Sequence, residues 1–122
     1  MKKVMPQEIE VWYLLPALRR EVAKSLIKKH KLNQKKVAEI LGITEAAISQ
    51  YLNSKRATEI KFTTKESKEI DKASQEIIKH QEQAMNYMYK LSRLFRGSDV
   101  LCRLHKRHDS HIKKDCRLCL EN

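Results

Sequence analysis

The chain of 122 residues contains only two glycines and two prolines, and aromatic side chains make up 6% of it. It has no run of 18 apolar residues that could span a membrane, and Met1-Lys2-Lys3 leads to no apolar stretch of signal-peptide length. Only three cysteines are present, all from Cys102 onwards, which argues against a secreted disulfide scaffold. These absences predict a cytoplasmic protein without a membrane partner.

Residues that favour helix fill most of the chain, chiefly lysine, glutamate, alanine, leucine, isoleucine and glutamine. No stretch alternates apolar and polar residues over a length useful for a β-strand. A chain of this length forms one domain, or a small domain with an appendage. We therefore predict an all-α fold.

Basic side chains are in excess, with 26 basic and 15 acidic residues and a net charge of +11. Residues 1–61 have 13 basic and 6 acidic residues, a net +7, and residues 62–122 have 13 and 9, a net +4. A basic surface binds nucleic acid by releasing counterions from the phosphates. The same charge is compatible with a solvated surface or with binding to an anionic membrane. The sequence has no basic amphipathic helix with a bulky aromatic face that would support membrane binding.

Residues 34–53 have the pattern of two short amphipathic helices joined by a glycine turn, as in a helix-turn-helix. Ala38 is small where the two helices must cross, and Gly42 can adopt the positive φ of a tight turn. Asn33 and Thr44 are suitable N-caps for the first and the second of these helices. The predicted buried seam between the helices consists of Val37, Ile40, Leu41, Ile43, Ile48 and Leu52.

The second helix of this motif would read DNA in the major groove with its exposed face. Glutamine pairs with adenine and glutamate accepts a hydrogen bond from cytosine, whereas contacts to phosphates only position the protein. The residues predicted on the exposed face are Thr44, Glu45, Ala46, Ser49 and Gln50. The residues predicted to hold phosphates are Gln34, Lys35, Lys55 and Arg56.

The segment before the motif predicts a helix over residues 8–15 and a second over 17–30. Pro16 either kinks the first helix or lies in the first turn of the second. Trp12, with its neighbour Tyr13, would pack in the core or form a dimer patch.

After a linker over residues 57–63, Thr63 and Glu66 predict a capping box that begins a helix over 64–95, with a break near 81–83 and a stop at Gly97. An apolar stripe along this helix either packs into the core or forms the interface of a homodimer. A homodimer is favoured because helix-turn-helix proteins usually bind operators with two-fold symmetry. The stripe is made of Ile70, Ile77, Ala84 and Leu91, widened by Ala73, Ile78, Met85, Met88, Leu94 and Phe95.

Two paired-ligand knuckles, Cys102-Arg-Leu-His105 and Cys116-Arg-Leu-Cys119, lie in the last part of the chain. Two such pairs complete a tetrahedral metal site, and the metal would supply folding energy to a segment with few large apolar groups. The predicted ligands are Cys102, His105, Cys116 and Cys119, with His108 and His111 as spare candidates. The alternative is a disordered basic tail with incidental thiols.

Residues 11–21, Val-Trp-Tyr-Leu-Leu-Pro-Ala-Leu-Arg-Arg-Glu, lead into the motif, and residues 43–52, Ile-Thr-Glu-Ala-Ala-Ile-Ser-Gln-Tyr-Leu, run through its second helix. Together they resemble the archaeal-type XRE (Cro/repressor-like) predicted transcriptional regulators. The resemblance covers residues 6–56 and, more loosely, the cysteine-bearing tail. It implies a Cro/repressor-like helix-turn-helix bundle in a cytoplasmic DNA-binding regulator.

The ligand set bears on which metal the tail would hold. Three thiolates and one imidazole are a standard structural zinc set, whereas iron–sulfur clusters prefer cysteine alone. The proteins that this chain resembles are richer in cysteine at the knuckles and near the N-terminus, where this chain has His105 and Gln7. Zn²⁺ is therefore favoured for a structural site, with a redox-sensing iron–sulfur cluster as the alternative.

Together these patterns predict a helix-turn-helix domain over residues 1–57, a helical linker and dimerisation region over 58–97, and a metal-binding tail over 98–122. The predicted function is a homodimeric transcription regulator that binds double-stranded DNA. A non-enzymatic adaptor that grips RNA or single strands with the basic tail is the alternative, although the tail lacks aromatics that would stack on bases. The sequence contains no phosphate-binding loop, carboxylate pair or nucleophile motif, so we predict that the protein is not an enzyme.

Overall fold

The computed structural model describes residues 5–53, 60–96, 100, 102 and 103, and within these the chain is helical without a strand. This confirms the predicted all-α fold. None of the helices described is long and apolar enough to cross a membrane. The elements are α1 (Pro6–Ile9), a π-helical segment (Glu10–Leu14), α2 (Leu15–Lys28), α3 (Gln34–Leu41), α4 (Glu45–Leu52), α5 (Thr64–Lys79), a 3₁₀ turn (Gln81–Gln83) and α6 (Ala84–Arg96).

The first three elements follow one another without a loop. Ile9, Glu10, Leu14 and Leu15 all have right-handed helical backbone angles, so the chain stays helical from α1 through the π-helical segment into α2. Pro16 lies in the first turn of α2, directly after the π-helical segment, and its fixed φ suits a helical position. The second of the two alternatives for Pro16 is therefore confirmed.

Side-chain caps fix where the later helices begin. Asn33 Oδ1 accepts from the backbone N–H of Lys36 at 2.8 Å at the start of α3. At the start of α5, Thr63 Oγ1 accepts from Glu66 N at 3.2 Å, and Glu66 Oε1 accepts from Thr63 N at 2.9 Å. Both predicted caps are confirmed, as are the break at 81–83 and the division into two helices.

Helix α2 lies at the centre of the fold and contacts α3, α4, α5 and α6. Leu18, Val22 and Leu26 recur at helical spacing along it and are fully buried. Burial of each such side chain contributes about 1.5–3 kcal/mol, so α2 supplies much of the free energy that holds the shorter helices in place.

The apolar stripe of α5 and α6 is buried within the chain itself. Ile70, Ile77, Ala84 and Leu91 belong to the same core as the apolar residues of α2. Of the residues that widen the stripe, Met85 and Leu94 remain exposed. The stripe therefore packs into the core, the first of its two alternatives, and a homodimer would need another surface.

Ion pairs join distant parts of the chain. Glu10 is buried, and its carboxylate accepts from Arg96 Nε at 3.1 Å and from Arg96 Nη2 at 2.9 Å. This hydrogen bonding raises the pKa of Arg96 above its usual value. Lys29 Nζ lies 2.6 Å from an oxygen of Asp71 and ties α2 to α5 nearer the surface. The bidentate pair fastens the π-helical segment to the end of α6.

We predict that Glu10→Gln lowers the free energy of unfolding by about 1–2 kcal/mol, because it removes a charge-assisted bidentate pair with one buried partner. Chemical denaturation followed by circular dichroism measures the change. The matched control is Asp71→Asn, which breaks a solvent-screened pair and should cost below about 1 kcal/mol. Equal losses in the two variants would contradict the role given to Glu10.

Candidate nucleic-acid interface

The turn between α3 and α4 depends on the left-handed backbone of Gly42, at φ 68° and ψ 35°. The N–H of Ile43 donates to Ala38 O at 3.1 Å and the N–H of Gly42 donates to Glu39 O at 3.3 Å. These two bonds form a Schellman motif, which satisfies the last carbonyls of α3 and reverses the chain. The position of Gly42 in the turn confirms the prediction from sequence.

The two helices of the motif meet along an apolar seam. Val37 and Ile48 are fully buried, and Ala38 is buried where α3 and α4 cross. The other predicted seam residues are half-buried against the core: Ile40, Leu41, Ile43 and Leu52.

Two further residues of α4, Ala47 and Tyr51, are buried and were not predicted. Tyr51 follows Ile48 by three residues and Ala47 by four, so the helical period alone could have placed it on the buried face.

The opposite face of α4 is open to solvent and polar. At about 100° per residue, Glu45, Ala46, Ser49 and Gln50 fall within a single arc of the helix. All but the half-buried Ser49 are exposed. The structure therefore brings the predicted base-reading residues of α4 together on one face.

Thr44 begins α4 and serves as its cap. Its Oγ1 accepts from the backbone N–H of Ala47 at 3.0 Å, which fixes the first turn of the helix. Glu45 lies in that turn, where a negative charge is stabilised by the helix dipole. The cap thus orients the end of α4 that would enter a DNA groove.

Asn53 is an exposed residue at the end of α4 that the sequence interpretation missed. It follows Ser49 by four residues and Gln50 by three, so it lies on the same open face. Asparagine can bond adenine bidentately, which makes it chemically suited to extend this face. Its spacing from Ser49 was the signal available in the sequence.

The start of α3 carries two of the residues that were predicted to hold phosphates. Gln34 and Lys35 are both exposed, and the first turn of α3 contains no acidic residue. Asn33 accepts the N–H of Lys36, but the preceding N–H groups of the helix have no helical acceptor, as at any helix N-terminus. Such a terminus favours an anion. The predicted phosphate contacts Lys55 and Arg56 lie outside the described residues.

Of the predicted metal ligands, only Cys102 lies within the described residues, and it is buried in the apolar core. His105, Cys116 and Cys119 fall outside them. In the part of the chain that the structure describes, no three His, Cys, Asp or Glu side chains group as a metal site.

We predict that Gly42→Ala destabilises the protein by about 1–2 kcal/mol, because an L-residue is strained in the left-handed conformation. The space around a Cβ at this position is empty, so the cost is one of backbone conformation and not of a steric clash. Thermal unfolding measures it. Gly42→Asn is the control and should lose less, since asparagine tolerates this conformation; an unchanged melting temperature in Gly42→Ala would contradict the prediction.

Comparison with known families identifies the same segment. Residues 24–62, from the second half of α2 to the residues before α5, match the family model described as helix-turn-helix, of the XRE type. Comparison with curated proteins and with solved structures gave no match. The matched residues include the Gly42 turn and the whole of α4. This likeness to helix-turn-helix domains supports a DNA-binding transcription regulator.

Proposed function

We propose that the protein is a sequence-specific regulator that reads duplex DNA in the major groove with the exposed face of α4. The observation that supports this most is the division of α4 into two faces. Ala47, Ile48 and Tyr51 fix one face in the core, and the polar side chains stand on the other. A rigid helix with a polar outer face can hold side chains in register with base edges.

In this proposal Glu45, Ser49 and Gln50 contact bases near the start and middle of α4. Gln50 can pair with adenine through both amide atoms, and Glu45 can accept from the amino group of cytosine. Asn53 extends the contact by one turn. Thr44 and Ala46 lie beside the groove, where a methyl group can contact that of thymine.

In this proposal the phosphate contacts come from two parts of the sequence, one before α4 and one after it. Gln34 and Lys35 hold one phosphate at the start of α3, and Lys55 and Arg56 hold another after α4. These contacts set the register of the protein on DNA and make binding depend on salt concentration. The excess of basic residues in the half of the chain that carries the motif favours the same partner.

A homodimer is part of the proposal, because operators for helix-turn-helix proteins usually have two half-sites related by two-fold symmetry. The apolar stripe of α5 and α6 is occupied by the core, so the contact must use other apolar groups. Val11 and Trp12 before α2, and Met85 and Tyr89 on α6, are large and exposed. We place the dimeric protein in the cytoplasm, where its DNA is.

We also propose a metal site formed by Cys102, His105, Cys116 and Cys119. Three thiols and one imidazole fit Zn²⁺ by donor type, and a closed structural site agrees with the burial of Cys102. Zinc would supply folding energy to the tail. An iron–sulfur cluster, the alternative, would add sensitivity to oxidants.

We predict that Gln50→Ala weakens binding to the preferred duplex by about 1–3 kcal/mol and relaxes specificity at one or two base positions. Fluorescence anisotropy with a duplex selected from a random library measures this loss. Gln83→Ala removes an exposed glutamine outside the motif and is the matched control. If Gln50→Ala binds both the selected and random duplexes as the unaltered protein does, Gln50 contacts no base. Stronger binding to single-stranded RNA than to duplex DNA would contradict the proposed function.

For the tail, we predict that protein purified without oxygen carries about one zinc ion per chain and is colourless. Metal analysis and an absorbance spectrum test this. Cys116→Ser should lose the ion, whereas His111→Ala, the control, should keep it. A brown protein with iron and acid-labile sulfide would favour the cluster, and protein without either metal would contradict the site.

A further inference from the structure

A pocket with a volume of about 210 Å³ lies where α2, the end of α3 and the start of α6 meet. We call it the Arg19 pocket, after the residue of α2 that lines it. None of the side chains proposed to contact bases or phosphates lines it. Sites for drug-sized ligands measure roughly 300–1,000 Å³, so the Arg19 pocket suits a smaller molecule.

Most of the pocket wall is apolar. Ile40 and Leu41 contribute from α3, and Ala84 and Met88 contribute from α6. Ile40, Leu41 and Met88 are only half-buried against the core, so a ligand that covers them removes further apolar surface from water. A Cβ added to Gly42 would meet no atom within 4 Å, so the pocket is open on the side of the turn.

Two side chains of opposite charge line the same pocket, the half-buried Arg19 on α2 and the exposed Glu39 on α3. The ion pairs of the described residues are all formed by other side chains. Within that part of the chain, Arg19 and Glu39 therefore pair neither with each other nor with a third residue. Lys35 and Lys36, one turn before Glu39, form no ion pair with it. The pocket thus presents one cation and one carboxylate, held apart beside an apolar wall.

A small molecule with one charge of each sign and an apolar body complements this arrangement. A guanidinium donates two parallel hydrogen bonds to a carboxylate, so Arg19 would hold the acidic end of the ligand. Glu39 would accept from its ammonium group. An anion without the ammonium would leave Glu39 unmatched, and an amine without the carboxylate would leave Arg19 unmatched. Charge complementarity therefore favours a zwitterion.

We propose that the Arg19 pocket binds a free α-amino acid with an apolar side chain of about the size of leucine. The carboxylate lies at Arg19, the ammonium at Glu39, and the side chain against Ile40, Leu41 and Met88. The ligand then contacts the end of α3, directly before the turn into α4, and α6 at the same time. This proposal goes beyond the proposed function and does not rest on it, because the site is separate from the DNA-reading face.

Titration of the full-length protein with L-leucine, in the absence of DNA, tests the proposal. The chain has four methionines, of which Met85 and Met88 line the pocket and Met5 does not. In protein labelled with ¹³C at the methionine methyl groups, leucine should shift the NMR signals of Met85 and Met88 and leave that of Met5 in place. The dependence of the shifts on leucine concentration gives the Kd.

Arg19→Gln and Glu39→Gln should each weaken leucine binding at least about ten-fold, because each removes a charge-assisted hydrogen bond. Arg93→Gln and Glu82→Gln make the same changes at exposed positions outside the pocket and should bind leucine as the unaltered protein does. An unchanged circular dichroism spectrum shows that each variant is folded. Isocaproate and isoamylamine, which are leucine without its amino group and without its carboxylate, should bind at least about ten-fold more weakly than leucine.

Four results would overturn the proposal. The signals of Met85 and Met88 do not move at about 10 mM leucine, or Arg19→Gln and Glu39→Gln bind leucine as tightly as the unaltered protein. In the third, isocaproate or isoamylamine binds as tightly as leucine, so that the pocket selects a single charge. In the fourth, the two signals move with protein concentration and not with leucine, so that a second copy covers the pocket. Duplex affinity measured on the same variants reports separately on the proposed function.

Discussion

The packing of α2 against the other helices is the interaction on which this structure depends. Helices α3 and α4 have eight residues each, and helices of that length are unstable in water on their own. They persist because Val37 and Ile48 pack into the apolar core around α2. The orientation of the exposed face of α4, the proposed DNA-reading surface, is thus set by apolar contacts on its buried face.

The local features of the motif could be predicted from sequence because each has a short-range physical cause. Gly42 is the residue that permits a left-handed turn, and Asn33, Thr44 and Thr63 are side chains that can accept a helix-terminal N–H. Neither effect depends on distant parts of the chain. The exposed positions of Glu45 and Gln50 then follow from the helical period.

Features that depend on tertiary packing could not be predicted from the sequence in the same way. The seven-residue apolar repeat from Ile70 to Leu91 is compatible with a dimer surface and with the chain's own core, since periodicity does not identify what covers a stripe. The pairing of Glu10 with Arg96 joins residues at opposite ends of the described chain, and no local pattern indicates it. Tyr51 and Asn53, by contrast, follow from the helical period alone, because Tyr51 lies three residues after Ile48 and Asn53 lies four residues after Ser49.

The N-terminal and C-terminal parts of the chain are tied to the same body. Glu10, in the π-helical segment, pairs with Arg96 at the end of α6. Arg103, further along the chain, pairs with Glu66 on α5. Cys102, the first proposed metal ligand, is buried between these two contacts along the chain. A change at Cys102 would therefore act on a core shared with α4, the proposed DNA-reading helix.

Selection of binding sites from a library of random duplex DNA tests the central claim most directly. The full-length protein is incubated with the library, bound duplexes are recovered over several rounds, and the enriched sequences are aligned. We expect one enriched motif with two half-sites about one helical turn apart, roughly 10 base pairs from centre to centre. A library that stays random after selection, with duplexes bound through charge alone, would contradict the assignment of α4 as a base-reading helix.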